Sequence, residues 1–207
     1  MQIEVILVGP FRQNARVLVC EKTNEAVLMD PGDDALLLAK KIQDMGVKIQ
    51  YILATHAHID HIGAVATLQK KFSWPFYIHK GDEILVQSLP VQAAKYEITG
   101  VEVPHIDHYI EDGQTFVFGN CEGKAIHTPG HSPGGVSFLF GEDVFVGDVL
   151  FSNSIGRTDL PGGSFSVLQK SIKDRLYTLP GNTRVHPGHG DSTTIEYEKA
   201  NNPFVRG

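Results

Sequence analysis

The sequence has few cysteines and no excess of positive charge, and both shortages exclude whole classes of protein. Only Cys20 and Cys121 occur among 207 residues, each in an apolar, strand-like context. We interpret them as small core residues rather than as a disulfide or a reactive thiol, which is typical of a reducing compartment. Eighteen basic residues face 24 acidic ones, giving a formal net charge of -6. No basic stripe is available to neutralise a phosphate backbone, so we expect no nucleic-acid partner.

Long apolar runs are also missing. Residues 1–8 lack the basic segment that opens a signal peptide. No stretch reaches the length of about 18 uncharged apolar residues that a membrane-spanning helix needs. The sequence therefore predicts a cytoplasmic protein with no membrane partner. Because 42% of the residues are hydrophobic, the chain can bury a sizeable core, and we expect one domain over residues 1–207.

Short β-rich runs alternate with segments of helical composition along the chain. Strand clusters in both halves, with helices between them, predict two mixed sheets packed face to face and covered by helices, an α/β sandwich. The predicted strands are 3–8, 17–20, 26–29, 49–54, 75–78, 115–118, 124–127, 136–140, 144–146 and 183–185, and the predicted helices are 34–42, 63–72, 82–96 (interrupted near Pro90) and 165–179.

Histidine is the residue in unusual supply. Ten are present, and three of them fall in the run His56-Ala57-His58-Ile59-Asp60-His61. Imidazole nitrogens and carboxylate oxygens are the ligands that a divalent metal such as zinc accepts. In an extended segment residues i and i+2 point the same way, so His56 and His58 can share one ion. The run follows the predicted buried strand 49–54, at the end where binding residues gather in α/β sheets, and it predicts a metal site there.

Four ligands cannot complete two coordination spheres, so further ligands are expected in turns downstream. His131 lies in the rigid turn segment Thr128-Pro129-Gly130-His131. Asp148 follows the apolar run 144–146, and His189 follows the predicted strand 183–185. Each residue alone would be typical of a turn. Together, at the ends of three strands, they favour one metal centre.

These segments, in this order, resemble the signature of the metallo-β-lactamase superfamily over nearly the whole chain. The resemblance implies a four-layer αββα sandwich of two mixed β-sheets. It also implies two divalent metal ions, with zinc as the first choice and iron or manganese as alternatives. The ligand set that it implies is His56, His58 and His131 for the first metal, Asp60, His61 and His189 for the second, and Asp148 as the bridge between them.

Within the superfamily the chain is similar to short glyoxalase II-like (hydroxyacylglutathione hydrolase-like) proteins. True β-lactamases of the superfamily lack an aspartate at the place of Asp148. Persulfide dioxygenases share the stretch Gly156-Arg157-Thr158-Asp159, but they bind one iron and typically end in Pro-Ala-His-Asp rather than in Pro187-Gly188-His189-Gly190. The chain stops before the C-terminal helical domain that holds glutathione in full-length glyoxalase II, so another acyl thioester stays open as the substrate.

The resemblance implies a hydrolase of small-molecule thioesters, such as S-lactoylglutathione, that acts through a metal-bridging hydroxide. Asp60 is then expected to be a catalytic residue that orients this hydroxide, besides being a ligand. Arg157 is a candidate to bind a substrate carboxylate, and the alternative is that it pairs with Asp159 and pins its own loop.

Two other functions stay open. One is a mononuclear iron persulfide dioxygenase that uses only His56, His131 and Asp148, and the other is a non-catalytic metal-binding module. His127 and His186 neighbour the turns that carry predicted ligands, and they are candidates to contact those ligands without binding the metal themselves. We expect a monomer or a small homo-oligomer.

Overall fold

Two six-stranded sheets form the centre of the computed structural model, which describes all 207 residues. The first sheet has the order β1-β2-β3-β4-β5-β6. Strands β1, β2 and β3 pair antiparallel with one another, whereas the pairs β3–β4, β4–β5 and β5–β6 are parallel. The sheet is therefore mixed. The bounds are β1 Gln2–Val8, β2 Gln13–Val19, β3 Glu25–Met29, β4 Lys48–Leu53, β5 Phe76–His79 and β6 His108–Ile110.

The second sheet is mixed as well. Its order is β14-β13-β10-β9-β8-β7, in which only β10 and β13 are parallel. A separate two-stranded ribbon joins β11 (Leu150–Phe151) to β12 (Ser154–Ile155). The bounds of the second sheet are β7 Thr115–Phe118, β8 Cys121–His127, β9 Val136–Phe140, β10 Asp143–Gly147, β13 Arg184–Pro187 and β14 Thr193–Thr194.

Three separate hydrophobic clusters show how the layers stack. One packs helices against the outer face of the first sheet, a second fills the space between the sheets, and a third packs helices against the second sheet. The predicted αββα sandwich is therefore confirmed. None of the helices combines the length and the apolar composition needed to span a membrane. The helices are α1 Ala35–Met45, α2 Ile59–Ile62, α3 Val65–Phe72, α4 Glu83–Gln87, α5 Leu89–Lys95, α6 Phe165–Ser171 and α7 Ile195–Asn201.

Some predicted elements differ from the structure in detail. The predicted helix 82–96 is two short helices, α4 and α5, which break at Ser88 because Pro90 lies in the first turn of α5. The predicted helix 165–179 ends as α6 and continues as a π-helical turn, Ile172–Leu176. Of the two cysteines, Cys20 is buried as predicted, whereas Cys121 is only half-buried at the start of β8.

The most informative difference is the early start of β2. The predicted strand begins at Val17, but the strand starts at Gln13 and all seven of its residues are buried. Two of its polar residues bind the end of β13 and the loop after it: Asn14 donates from Nδ2 to the carbonyls of Pro187 and Gly190, and Arg16 donates to that of Pro187. Strand β2 thus supports a loop that carries a candidate ligand.

Candidate metal centre

Four connecting segments, each at the end of a strand, place the predicted ligands on one edge of the sandwich. The His56–His61 segment follows β4 in the first sheet. His131 lies between β8 and β9, while Asp148 and His189 follow β10 and β13, all in the second sheet. The structure brings together all seven residues that the sequence predicted as ligands.

The first group consists of three buried histidines, His56, His58 and His131. Nδ1 of His58 lies 2.9 Å from Nε2 of His131, which lies 3.2 Å from Nε2 of His56. Ligand nitrogens of a tetrahedral zinc ion are about 3.3 Å apart, as follows from Zn–N bonds of about 2.0–2.1 Å. The spacing of these nitrogens fits one shared metal ion.

The second group consists of Asp60, His61 and His189, whose donor atoms lie within 4.8 Å of one another. Nε2 of His189 is 3.1 Å from Oδ2 of Asp60, and Nε2 of His61 is 3.9 Å from the same oxygen. His61 is fully buried, whereas the side chain of His189 is 28% exposed and that of Asp60 19%. The centre therefore opens to solvent on the side of this second group.

Asp148 lies between the two groups. Its Oδ1 is 3.4 Å from Nε2 of His61, and its Oδ2 is 3.7 Å from Nε2 of His131 and 3.6 Å from that of His189. Oδ1 of Asp148 and Nε2 of His61 are both buried and have no hydrogen-bond partner. Buried polar atoms are rarely left without a partner, so these two atoms fit a metal ion as their missing partner.

Hydrogen bonds on the far side of the ring fix the orientation of four of the five candidate histidines. Nδ1 of His61 faces Oδ2 of Asp30 at 3.1 Å, and Nδ1 of His56 faces the Thr55 hydroxyl, which itself donates to Asp30. The backbone carbonyls of Arg157 and Phe11 lie 2.7 Å and 3.2 Å from Nδ1 of His131 and His189. When Nδ1 carries the proton, Nε2 is left free for a metal ion, as in most histidine-ligated sites.

Burial and neighbouring charges lower the pKa of some of these groups and raise that of others. Burial, reinforced by the neighbouring imidazoles, lowers the pKa of His58 to about 3 and that of His56 well below its ordinary value. Burial opposes the charged form of His61 too, but Asp148 and Asp60 outweigh it and raise the pKa of His61. For Asp148, burial is likewise outweighed, by His61, and the pKa is lowered. Burial thus favours the neutral form of His56 and His58, the form in which an imidazole binds a metal, while Asp60 and Asp148 supply anionic oxygens beside them.

Gly188 permits the close approach of the loops. A Cβ at this position would overlap the carboxylate of Asp148 and lie 2.5 Å from Cε1 of His61. Only glycine fits here without moving two candidate ligands. This explains why glycine precedes His189.

Sequence reasoning missed two buried carboxylates next to the centre. Asp30 lies just after the predicted strand 26–29, and Asp82 is the first residue of the predicted helix 82–96. The Asp30 backbone has φ +50°, an uncommon conformation for a residue other than glycine, which is a structural signal for a special role but is not visible in sequence. Both side chains are essentially unexposed.

The remaining candidates lie near the centre in different ways. The Arg157 side chain forms a two-bond ion pair with Asp159, at 2.7 Å for each bond, and both side chains are exposed. His127 stacks on His79, and His186 binds Asp143, so neither reaches a candidate ligand. The pairing of Arg157 with Asp159 agrees with the alternative that was left open for this loop.

Comparisons with known proteins point to one family. A sequence model of the metallo-beta-lactamase superfamily matches residues 8–189. The hydroxyacylglutathione hydrolase GloC of Haemophilus influenzae is 34% identical over 209 residues, which cover 99% of this chain and 98% of the relative. The crystal structure of the BLEG-1 B3 metallo-beta-lactamase has a TM-score of 0.90 and 39% identity, with both chains fully covered. That of TTHA1623 in a di-iron-bound form has a TM-score of 0.89 and 40% identity, covering 98% of this chain and all of the other.

Proposed function

The chain belongs to the metallo-β-lactamase superfamily, and we propose that it is a binuclear metal-dependent hydrolase of small-molecule thioesters. The observation that carries this proposal is the position of Asp148. Its two oxygens face histidines of both groups, at 3.4–3.7 Å. A carboxylate in this position suits a bridge between two ions rather than a ligand of one.

The residues that would hold the metals are those of the two groups. His56, His58 and His131 would hold one ion, Asp60, His61 and His189 the other, and Asp148 both. Two such ions, when bound, supply an acidified water as nucleophile and a Lewis acid for the carbonyl oxygen. The donor set is compatible with zinc, iron or manganese, and we propose zinc as the ion of first choice.

Asp60 is the ligand with a second task. Its carboxylate lies at the open side of the centre and is 19% exposed, so it can accept a hydrogen bond from an incoming water and orient it. A thioester needs little help from a general acid, because an ordinary thiol has a pKa of about 8.5 and leaves readily as a thiolate. Neither cysteine is needed as a nucleophile: the sulfur of Cys20 accepts a hydrogen bond from Asn120, away from the centre.

The walls of the opening favour a substrate with both apolar and anionic parts. The rings of Phe11 and Tyr96 pack edge to face, 5.0 Å apart, and Phe11 is the residue whose carbonyl binds His189. Arg157, whose carbonyl binds His131, offers a guanidinium for a substrate carboxylate. Similarity to GloC supports an acylated glutathione, such as S-lactoylglutathione, as the first substrate to test.

Hydrolysis of β-lactams is a second candidate, favoured by the 39% identity with a protein described as a B3 metallo-beta-lactamase. Such a reaction would use the same two groups of ligands. We rank it second because Asp148 is not the residue that β-lactamases of the superfamily carry at the bridging place.

One experiment separates these candidates. The purified protein is analysed for metal content and assayed for thiol release from S-lactoylglutathione and a panel of other acyl thioesters, with a chromogenic β-lactam in parallel. We expect two ions per chain, thioester hydrolysis that a chelator abolishes, and recovery when metal is restored. His189→Ala serves as the matched variant that keeps the first group intact, and we expect it to hold one ion and lose activity.

Other outcomes would point elsewhere. Metal-replete protein that cleaves no thioester on the panel contradicts the proposal, and β-lactam turnover would then support the second candidate. One iron per chain together with oxygen uptake on glutathione persulfide would support the dioxygenase alternative instead.

A further inference from the structure

Asp82 is a buried carboxylate that no step of the proposed chemistry uses. Its side chain has no solvent exposure, and it receives three hydrogen bonds. Oδ2 accepts from the backbone N–H of Ala57 at 2.9 Å and from the hydroxyl of Ser132 at 2.8 Å, and Oδ1 accepts from the N–H of Gly134 at 2.6 Å. All three partners donate, which is the arrangement that a carboxylate satisfies and a neutral acid or amide does not.

The partners of Asp82 belong to the two loops that form the first group of ligands. Ala57 lies between His56 and His58, and Ser132 directly follows His131. One buried side chain therefore joins the segment after β4, in the first sheet, to the segment between β8 and β9, in the second sheet. A backbone hydrogen bond from the N–H of Val136 to the carbonyl of Thr55 also joins these segments, but Asp82 is the side chain that binds both of them next to candidate ligands.

The position of Asp82 in its own helix argues against a merely local role. The residue precedes α4, where an aspartate usually accepts a hydrogen bond from the first turn of the helix. Its side chain makes no such cap. The close fit also points to the ligand loop: a Cβ at Gly134 would lie 2.8 Å from the carboxylate carbon of Asp82.

We propose that Asp82 is the positioning residue of the first metal ion: it fixes the loops of His58 and His131 at ligand spacing. This inference rests on the proposed metal centre. Asp82 acts through the loops and does not itself bind the ion. Asp30 performs a related task for His61 and, through the Thr55 hydroxyl, for His56, so two buried carboxylates support the centre.

The test measures metal affinity rather than turnover. Cobalt(II) is titrated into the metal-free protein, followed by its absorption spectrum, in competition with a chelator. Asp82→Asn keeps the size of the side chain but removes the charge and replaces one acceptor with a donor. We expect the first ion to bind about 10–100-fold more weakly, the range found for outer partners of metal ligands, with a changed cobalt spectrum.

Single-site backgrounds assign the effect to one ion. His189→Ala retains the first group and His58→Ala retains the second. We expect Asp82→Asn to weaken cobalt binding in the His189→Ala protein and to leave it within about threefold in the His58→Ala protein, since none of the three donors to Asp82 belongs to or adjoins a residue of the second group. An equal loss in both backgrounds, or no loss in the His189→Ala protein, overturns the proposal.

Glu198 provides a matched control for the loss of a buried carboxylate. It is also unexposed and accepts hydrogen bonds from Thr193, Asn202 and Asn153, none of which is a candidate ligand. We expect Glu198→Gln to lower stability but to leave both cobalt affinities unchanged. If it weakens the first ion as much as Asp82→Asn does, the effect is one of general stability and the proposal is wrong.

Ser132→Ala keeps the test decisive if Asp82→Asn does not fold. It removes one of the three donors, and we expect the first ion to bind several-fold more weakly in the His189→Ala background. Unchanged affinity would contradict the proposal.

The proposed function is tested separately by the wild-type protein. Two bound ions with no thioester turnover would count against the function alone, whereas turnover together with unaltered cobalt binding in Asp82→Asn would count against Asp82 alone.

Discussion

The carboxylate of Asp30 lies 3.1 Å from Nδ1 of His61, on the opposite side of the ring from Nε2, which faces Asp148. The same carboxylate accepts from the backbone N–H and the hydroxyl of Thr55, the residue before His56. Asp30 thus holds His61 in the form that leaves Nε2 free for a metal ion.

We expect Asp30→Asn to weaken metal binding by about 10–100-fold, because the amide cannot accept all three donors and leaves His61 without a fixed orientation. The measurement is chelator competition with elemental analysis of the protein. Asp33→Asn, a change at a nearby acid that contacts no candidate ligand side chain, should leave the affinity unchanged. Full metal content and unaltered affinity in Asp30→Asn would show that the ligand loops hold His61 without it.

The candidate ligands were predictable from sequence because few residue types bind a divalent metal and because they fall at the ends of strands. The His56–His61 run carries this signal by itself, and His131, Asp148 and His189 reinforce it through their turn contexts. The sandwich was predictable for a related reason: apolar runs of strand length recur in both halves of the chain.

The supporting residues could not be predicted in the same way. Asp30 and Asp82 have the local sequence of an ordinary turn and an ordinary helix start, and their partners lie 25 to 52 positions away along the chain. The early start of β2 was hidden for the same reason. Gln13, Asn14 and Arg16 look solvent-exposed in sequence, but Asn14 and Arg16 are buried against the loop of His189, which only the three-dimensional structure reveals.

Gly188→Ala tests the close packing of the ligand loops. The added methyl group would overlap the Asp148 carboxylate and press on His61, so the ligands must move. Displacing a catalytic group by about 1 Å commonly lowers the rate about 100-fold. We therefore expect Gly188→Ala to lower the rate of thioester hydrolysis by at least this factor and to bind fewer than two metal ions per chain. Gly190→Ala is the control: its Cβ would meet nothing within 4 Å, although its φ of +72° costs about 1–2 kcal/mol for alanine. It should lose stability and keep its metal. An active, fully metallated Gly188→Ala protein would show that the loop relaxes freely.

The pH dependence of stability tests a carboxylate outside the centre. Burial raises the pKa of Asp143, but hydrogen bonds from Arg184 and His186 outweigh it, and the net pKa is below the ordinary value. A lowered folded-state pKa contributes stability above the unfolded pKa of about 3.9, which is lost as the pH falls through the folded value. We expect Asp143→Asn to cost about 1–3 kcal/mol in the free energy of unfolding at pH 7, and the difference from wild type to shrink below about pH 4. Denaturant unfolding of both proteins across pH 3–7 measures this. A difference that stays constant over that range would mean that packing, not charge, accounts for the loss.

Arg157 and Asp159 together decide between the two roles considered for this loop. The side chain of Arg157 is 58% exposed and that of Asp159 is 68% exposed. Such exposed ion pairs contribute only about 0–1 kcal/mol to the free energy of unfolding, so the guanidinium can leave Asp159 for a substrate carboxylate at little cost. The carbonyl of Arg157, which binds His131, is unaffected by a change of side chain. We therefore expect Arg157→Ala to raise the KM for S-lactoylglutathione about tenfold with kcat nearly unchanged, and to leave the KM for a thioester without carboxylates unaltered. Asp159→Asn should not raise either KM, because it only frees the guanidinium. If instead both variants lower kcat by the same factor at constant KM, the pair acts by holding the loop and, through it, the orientation of His131.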